Sequence, residues 1–112
     1  MNLQEHKKCC KIVDEIMLFF LKRKIKEINI KYKENDKSTF IEFEVLNCPY
    51  DLALMLKSKL APHHERQYEG FGWELMGDGD FDELEIAGGL IDSLDISFND
   101  NFVKIIMVRS YE

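Results

Sequence analysis

The sequence predicts an α+β fold, a two-layer sandwich in which a mostly antiparallel sheet has its helices on one face. Three observations support this prediction. Apolar residues recur at helical spacing in three stretches, and they alternate with polar residues in others. The alternating stretches come in pairs joined by short polar turns, as antiparallel strands do. Helical stretches separate these pairs, and this gives the order α-β-β-α-(β)-α-β-β.

The first helix is predicted over residues 3–22, where Ile12, Ile16 and Phe19 share one face and no Gly or Pro interrupts. Residues 16–21 are apolar all round, which predicts that this end of the helix is buried on more than one side. Residues 25–33 and 39–45 then alternate, with a polar turn between them. They are therefore expected to form a hairpin with one solvent-facing side.

A second helix is predicted to begin near Pro49 and to end at Pro62, because proline is well placed at a helix start and cannot continue one. Its apolar stripe is expected to consist of Leu52, Met55, Leu56 and Leu60. Residues 62–70 read as a polar connection, and residues 71–76 alternate as a short strand would.

A turn at residues 77–80 is predicted to lead into a third helix, with acidic residues in its first turn. Leu84, Ala87, Ile91 and Leu94 keep helical spacing, and the Gly88-Gly89 pair inside should have a packing or functional reason. The chain then alternates again from 94 to 98, turns at 99–101 and continues as an apolar strand over 102–108. A strand that is apolar on both faces is expected in the centre of a sheet.

The composition describes a single domain over residues 1–112. The apolar fraction is 46%, which suits a globular protein, and the net charge of −6 argues against nucleic-acid binding. The basic N-terminal third could still contact phosphate, although a solvated, dipolar surface is the simpler interpretation. An odd cysteine count without a signal-peptide pattern predicts a reduced, cytoplasmic protein, and no apolar stretch is long enough to span a membrane.

No metal or other cofactor is predicted. His6, Cys9 and Cys10 have helical spacing that could seat a metal, but the two cysteines read equally well as small core residues. Adjacent His63 and His64 cannot readily share one zinc ion. The acidic residues Asp78, Asp80 and Asp82 imitate the start of a calcium loop, but Glu83 and Gly89 then stand where glycine and a bidentate glutamate are needed. No nucleophile signature or phosphate-binding glycine loop occurs.

Two stretches nevertheless resemble a known family. Residues 12–46, with EIMLFFLKR at 15–23, are similar to the helix-β-β unit of the histidine-kinase-like (GHKL) ATPase fold, especially its small anti-sigma-factor kinases. Residues 87–109, AGGLIDSLDISFNDNFVKIIMVR, resemble that family's last glycine-containing helix and closing hairpin. This resemblance implies an ATPase-type scaffold and covers about half of the chain.

The same resemblance implies that the nucleotide machinery is lost. The family's metal-binding Asn falls at Phe19, and its D-x-G-x-G motif falls near residues 47–51, where there is no glycine. Only Glu15 and the Gly88-Gly89 pair match the family's pattern. If the fold is shared, what remains is a scaffold for binding, because a fold alone does not set a function.

Two functional hypotheses follow from the sequence. The first is a non-enzymatic cytoplasmic binding or regulatory domain, which self-associates or docks a protein partner through apolar surface such as Tyr68, Phe71 and Trp73. The alternative is a small nucleotide- or metal-dependent enzyme of the histidine-kinase-like ATPase type. Its acidic site would lie beside the Gly88-Gly89 pair and would be built from Asp78, Asp80, Asp82 and Glu83.

Overall fold

The structure is a computed structural model that describes residues 3–60 and 84–111. Within these residues, three helices and four strands follow one another as α1 Leu3–Lys22, β1 Ile28–Glu34, β2 Ser38–Val45, α2 Tyr50–Leu60, α3 Glu85–Leu90, β3 Ser93–Asn99 and β4 Phe102–Ser110. The predicted strand at 71–76, the turn at 77–80 and the helix end at Pro62 lie outside the described residues. Within them, the α+β prediction is confirmed.

The four strands form one antiparallel sheet in the order β1-β2-β4-β3. Both predicted hairpins are present, since β1 pairs with β2 and β3 pairs with β4. Strand β4 lies between β2 and β3, as its two apolar faces predicted. Strands β1 and β3 are therefore the two edges of the sheet among the residues that the structure describes.

The core consists mainly of buried residues from all three helices and from the two central strands. Every second residue of β2 and β4 is buried, as expected for strands with one covered face. Helix α1 buries Ile12, Ile16, Phe19 and Phe20 in the same cluster, so its predicted stripe is confirmed. Helix α2 buries Leu52, Leu56 and Leu60 as predicted, but Met55 is 42% exposed and Ala53 is buried in its place.

The third helix is shorter than its spacing predicted. It ends at Leu90, Ile91 is already extended with φ −102° and ψ 150°, and Leu94 belongs to β3. Two consecutive glycines cost the helix on the order of 1 kcal/mol each relative to alanine, so little local preference extends it. The backbone N–H of Asp92 instead donates to the Val108 carbonyl at 2.8 Å, which begins the pairing with β4.

The start of α3 is stabilised by another helix. Leu84 at its N-cap is left-handed, with φ 68°, and provides no side-chain cap. The Glu15 carboxylate of α1 accepts a hydrogen bond from the backbone N–H of Ala87 at 2.9 Å instead. A carboxylate in this position satisfies an otherwise unpaired donor and interacts favourably with the helix dipole. Gly88 and Gly89 are buried beside it, so α1 and α3 can pack without intervening side chains.

A buried ion pair ties the two ends of the chain together. Arg109 follows Val103, Ile105 and Met107 on the inner face of β4 and is only 3% exposed. Its Nε and Nη2 atoms donate to the two carboxylate oxygens of Glu5 in α1 at 2.9 and 3.1 Å, and its Nη1 donates to the Leu90 carbonyl at 2.7 Å. Hydrogen bonding from this guanidinium lowers the pKa of Glu5.

Removing the charge of Glu5 is expected to destabilise the fold in a pH-dependent way. A Glu5→Gln variant removes the negative charge that accepts two hydrogen bonds from the buried Arg109, so the free energy of unfolding at neutral pH should fall by about 1–3 kcal/mol. Because the folded-state pKa of Glu5 is lowered, wild type gains this stability above its ordinary pKa of 4.5 and loses it as the pH falls through the folded value. The deficit should therefore shrink at acidic pH.

Urea unfolding across this pH range measures the effect. Glu27→Gln is the matched control, since Glu27 is exposed and its replacement should change the free energy of unfolding by less than about 0.5 kcal/mol. An equal effect of the two substitutions at every pH would show that the Glu5–Arg109 pair does not contribute in this way.

Candidate functional site

An apolar groove of about 530 Å³ lies between α1 and β1. One side is formed by a stripe of α1 that is separate from the stripe buried in the core. Residues three, four and seven apart share a helix face, so Cys10, Met17 and Leu21 lie in one row along the groove. The side chains that form most of its lining are Cys10, Val13, Met17, Leu18 and Leu21 of α1 and Tyr32 of β1.

Four large apolar side chains of α1 and β1, in or beside this groove, are half-exposed. Leu18 and Leu21 of α1 are 42% and 52% exposed, and Ile30 and Tyr32 of β1 are 43% and 42% exposed. Ile30 and Tyr32 lie opposite Phe43 and Ile41 in the register, so they extend the core-facing side of the sheet to its edge. The prediction that this end of α1 is buried on more than one side holds only for Ile16, Phe19 and Phe20, because Leu18 and Leu21 on another side of the helix are exposed.

One end of the groove is polar. The Cys9 thiol donates to the Thr39 hydroxyl at 3.6 Å, and the Thr39 and Tyr111 hydroxyls are hydrogen-bonded to each other. The Tyr32 hydroxyl donates to Glu34 at 3.2 Å. Removal from water raises the pKa of the Cys9 thiol and of the Tyr32 phenol. Both groups are therefore protonated near neutral pH, and a protonated thiol is a poor nucleophile.

The residues considered for a metal site do not converge. Cys9 is buried, whereas Cys10 is exposed, and the Nε2 atom of His6 lies 3.3 Å from Glu34 instead of facing either thiol. In the described ranges 3–60 and 84–111, no group of three or more His, Cys, Asp or Glu side chains could hold a metal ion. Three cysteines in these ranges are free thiols.

The other site residues named from the sequence cannot be placed. Seven of them lie in the stretch between α2 and α3 that is outside the described residues: Tyr68, Phe71, Trp73, Asp78, Asp80, Asp82 and Glu83. The groove between α1 and β1 was not predicted. The available signal was the apolar run at 16–21, which contains more apolar side chains than one helix face can bury.

The positions aligned with the ATPase family have structural roles here. Phe19 is fully buried, packs edge-to-face on Phe20 with ring centroids 5.2 Å apart, and lies under the Arg23 guanidinium at 4.1 Å. Asn47 takes a left-handed backbone with φ 56°, which asparagine adopts more readily than most residues. Cys48 is buried, and removal from water raises the pKa of its thiol to about 11. Its backbone N–H donates to the Asn101 carbonyl at 2.8 Å.

No protein-family model, curated protein or solved structure matches this chain. None of the helices in the described part of the chain is both long and apolar enough to cross a membrane.

The groove-lining leucines are expected to be dispensable for folding. Leu18→Gln/Leu21→Gln replaces two exposed side chains by residues of similar helix propensity, so the free energy of unfolding should change by less than about 1 kcal/mol. Phe19→Ala, one position away but fully buried, should cost about 3–5 kcal/mol. Urea denaturation followed by circular dichroism compares the two variants. A loss in the double variant as large as that of Phe19→Ala would mean that the groove belongs to the core.

Proposed function

We propose that this chain is a non-enzymatic cytoplasmic binding or regulatory domain that docks another protein at the groove between α1 and β1. The observation behind this proposal is the groove lined by half-exposed Leu18, Leu21 and Tyr32, with half-exposed Ile30 two residues before Tyr32 on the same face of β1. Apolar side chains that neighbour one another at a surface and contribute little to the core are typical of protein interfaces. Docking through Tyr68, Phe71 and Trp73 stays a second prediction from the sequence.

The chemistry at the polar end of the groove also favours binding over catalysis. Cys9 and Tyr32 are neutral hydrogen-bonding groups at neutral pH, because removal from water raises the pKa of each. Tyr32 is 42% exposed, so its hydroxyl can orient a bound chain through a hydrogen bond to that chain's backbone, whereas Cys9 is buried behind it. An apolar groove with a few polar groups at one end is a common arrangement for a binding site.

A degenerate histidine-kinase-like scaffold is compatible with this function. The order of α1, the β1–β2 hairpin, the glycine-containing α3 and the closing β3–β4 hairpin supports the family resemblance. Glu15 bonds to the first turn of α3, directly before Gly88-Gly89, so the two elements that match the family's pattern are in contact. This contact is the observation that favours the alternative, a small enzyme of the ATPase type, and a nucleotide-binding measurement separates the two proposals.

Photo-crosslinking from defined positions tests the docking surface. With p-benzoylphenylalanine at Leu18 or Leu21, illumination in an extract of the source cells should give one and the same protein adduct from both positions. The matched control is Leu54 of α2, which is 48% exposed but lies away from the groove, and it should give no such adduct. Adducts that are absent from both groove positions, or equal at Leu54, would contradict the proposal. The adduct's mass shows whether the partner is a second copy of this chain.

Nucleotide binding is expected to be absent. Holding Mg²⁺ at the phosphates requires an oxygen ligand, and the aligned position holds the buried phenyl ring of Phe19. Isothermal titration with Mg-ATP at sub-millimolar concentration should give no stoichiometric heat. Stoichiometric heat that disappears in Glu15→Gln, with the fold of that variant verified by circular dichroism, would favour the enzyme alternative.

A further inference from the structure

The outer edge of β1 presents a regular set of backbone hydrogen-bonding groups. The Asn35 N–H donates to the Ser38 carbonyl at 3.0 Å, and the Leu46 N–H donates to the Glu27 carbonyl at 3.1 Å. These bonds mark the two ends of the β1–β2 ladder. Because hydrogen-bonded and non-hydrogen-bonded pairs alternate in an antiparallel ladder, residues 28, 30, 32 and 34 direct their N–H and C=O groups away from β2. In the described part of the chain, no strand pairs with this edge.

The two faces of this edge differ in chemistry. Ile30 and Tyr32 lie on the face that borders the groove and are half-exposed. Lys31 and Lys33 alternate with them on the opposite face and are also exposed. Lys31 lies across from Glu42 in the register, so a negative charge on its other side would extend an alternation of sign across the sheet.

A strand added at this edge would encounter both faces at once. Side chains alternate along an extended segment, so one set would pack on Ile30, Tyr32 and the groove, and the next set would lie beside Lys31 and Lys33. The first set is favoured when it is apolar, and the second when it is acidic. Extending the sheet in the antiparallel direction matches every other pairing that the structure describes.

We propose that β1 is a strand-addition site whose ligand is an extended segment of a partner protein, with apolar and acidic residues in alternation. The proposal rests on the groove being a docking surface and specifies the partner's chemistry. Backbone hydrogen bonds to residues 30 and 32 would supply affinity, and the alternation would supply specificity, as in other cases of strand addition. A second copy paired through its own β1 is disfavoured, because Lys31 and Lys33 would lie near the same lysines of the copy.

Two synthetic peptides test the charge preference. One consists of four valine–glutamate repeats and the other of four valine–lysine repeats, each with a fluorescein on a Gly-Ser spacer. The full-length protein should bind the glutamate peptide about tenfold more tightly in fluorescence anisotropy. Lys31 and Lys33 attract the glutamates of this peptide and repel the lysines of the other. Lys31→Glu/Lys33→Glu should reverse this preference. Lys57→Glu/Lys59→Glu, with two exposed lysines of α2 changed, is the control of equal charge and should leave it unchanged.

Two methylated forms of the glutamate peptide test the backbone pairing. In an antiparallel addition, the valines that face Ile30 and Tyr32 direct their N–H groups to β1, whereas the glutamates direct theirs away. Methylating the valine nitrogens should therefore abolish binding, and methylating the glutamate nitrogens should preserve most of it. Equal loss from both, equal binding of the two original peptides, or no binding of the glutamate peptide at millimolar concentration would overturn the proposal. If the crosslinks from Leu18 and Leu21 persist in that case, only strand addition has failed.

Discussion

The buried guanidinium of Arg109, at the end of the core, imposes the constraint on which the arrangement of the other elements depends. Arg109 occupies an inward position of β4, where water cannot solvate its charge. Three of its N–H groups donate hydrogen bonds, two to the Glu5 carboxylate from α1 and one to the Leu90 carbonyl at the end of α3. The first helix, the third helix and the last strand are therefore held together at one point. With α1 fixed there, its second apolar stripe faces β1 instead of the sheet centre.

Much of the fold could be predicted because it follows from periodicity. The bounds of α1, the two hairpins and the central position of β4 are all set by which residues must turn inward. The same reasoning fails where neighbours decide burial. Met55 and Ala53 lie on opposite sides of the stripe formed by Leu52, Leu56 and Leu60, and the facing elements cover the side that carries the smaller residue. Arg109 continues the alternation of Val103, Ile105 and Met107. The sequence therefore indicates that its side chain faces inward, but it does not indicate that Glu5 is its partner.

The groove could not be predicted for a related reason. Helical spacing places Leu18 and Leu21 on a different side of α1 from the buried stripe of Ile12, Ile16 and Phe19, but because both sides are apolar the sequence does not show which of them the sheet covers. That distinction depends on how far the helix reaches across the strands. The same holds for strand β1. Its alternation correctly placed Ile30 and Tyr32 on the face opposite the lysines, but it did not show that these two side chains would be half-exposed at the edge of the sheet.

The contact between Glu15 and Ala87 also affects how the chain folds. A helix of six residues containing two glycines cannot nucleate by itself, since fixing its first turn costs more than its few internal hydrogen bonds return. The hydrogen bond that a side-chain cap would accept is supplied from 72 residues earlier in the sequence, so the start of α3 depends on its contact with α1. The helical conformation around Gly88-Gly89 is thereby coupled to the packing of α3 on α1. Helix α3 is therefore expected to become ordered together with α1 and not as an independent unit.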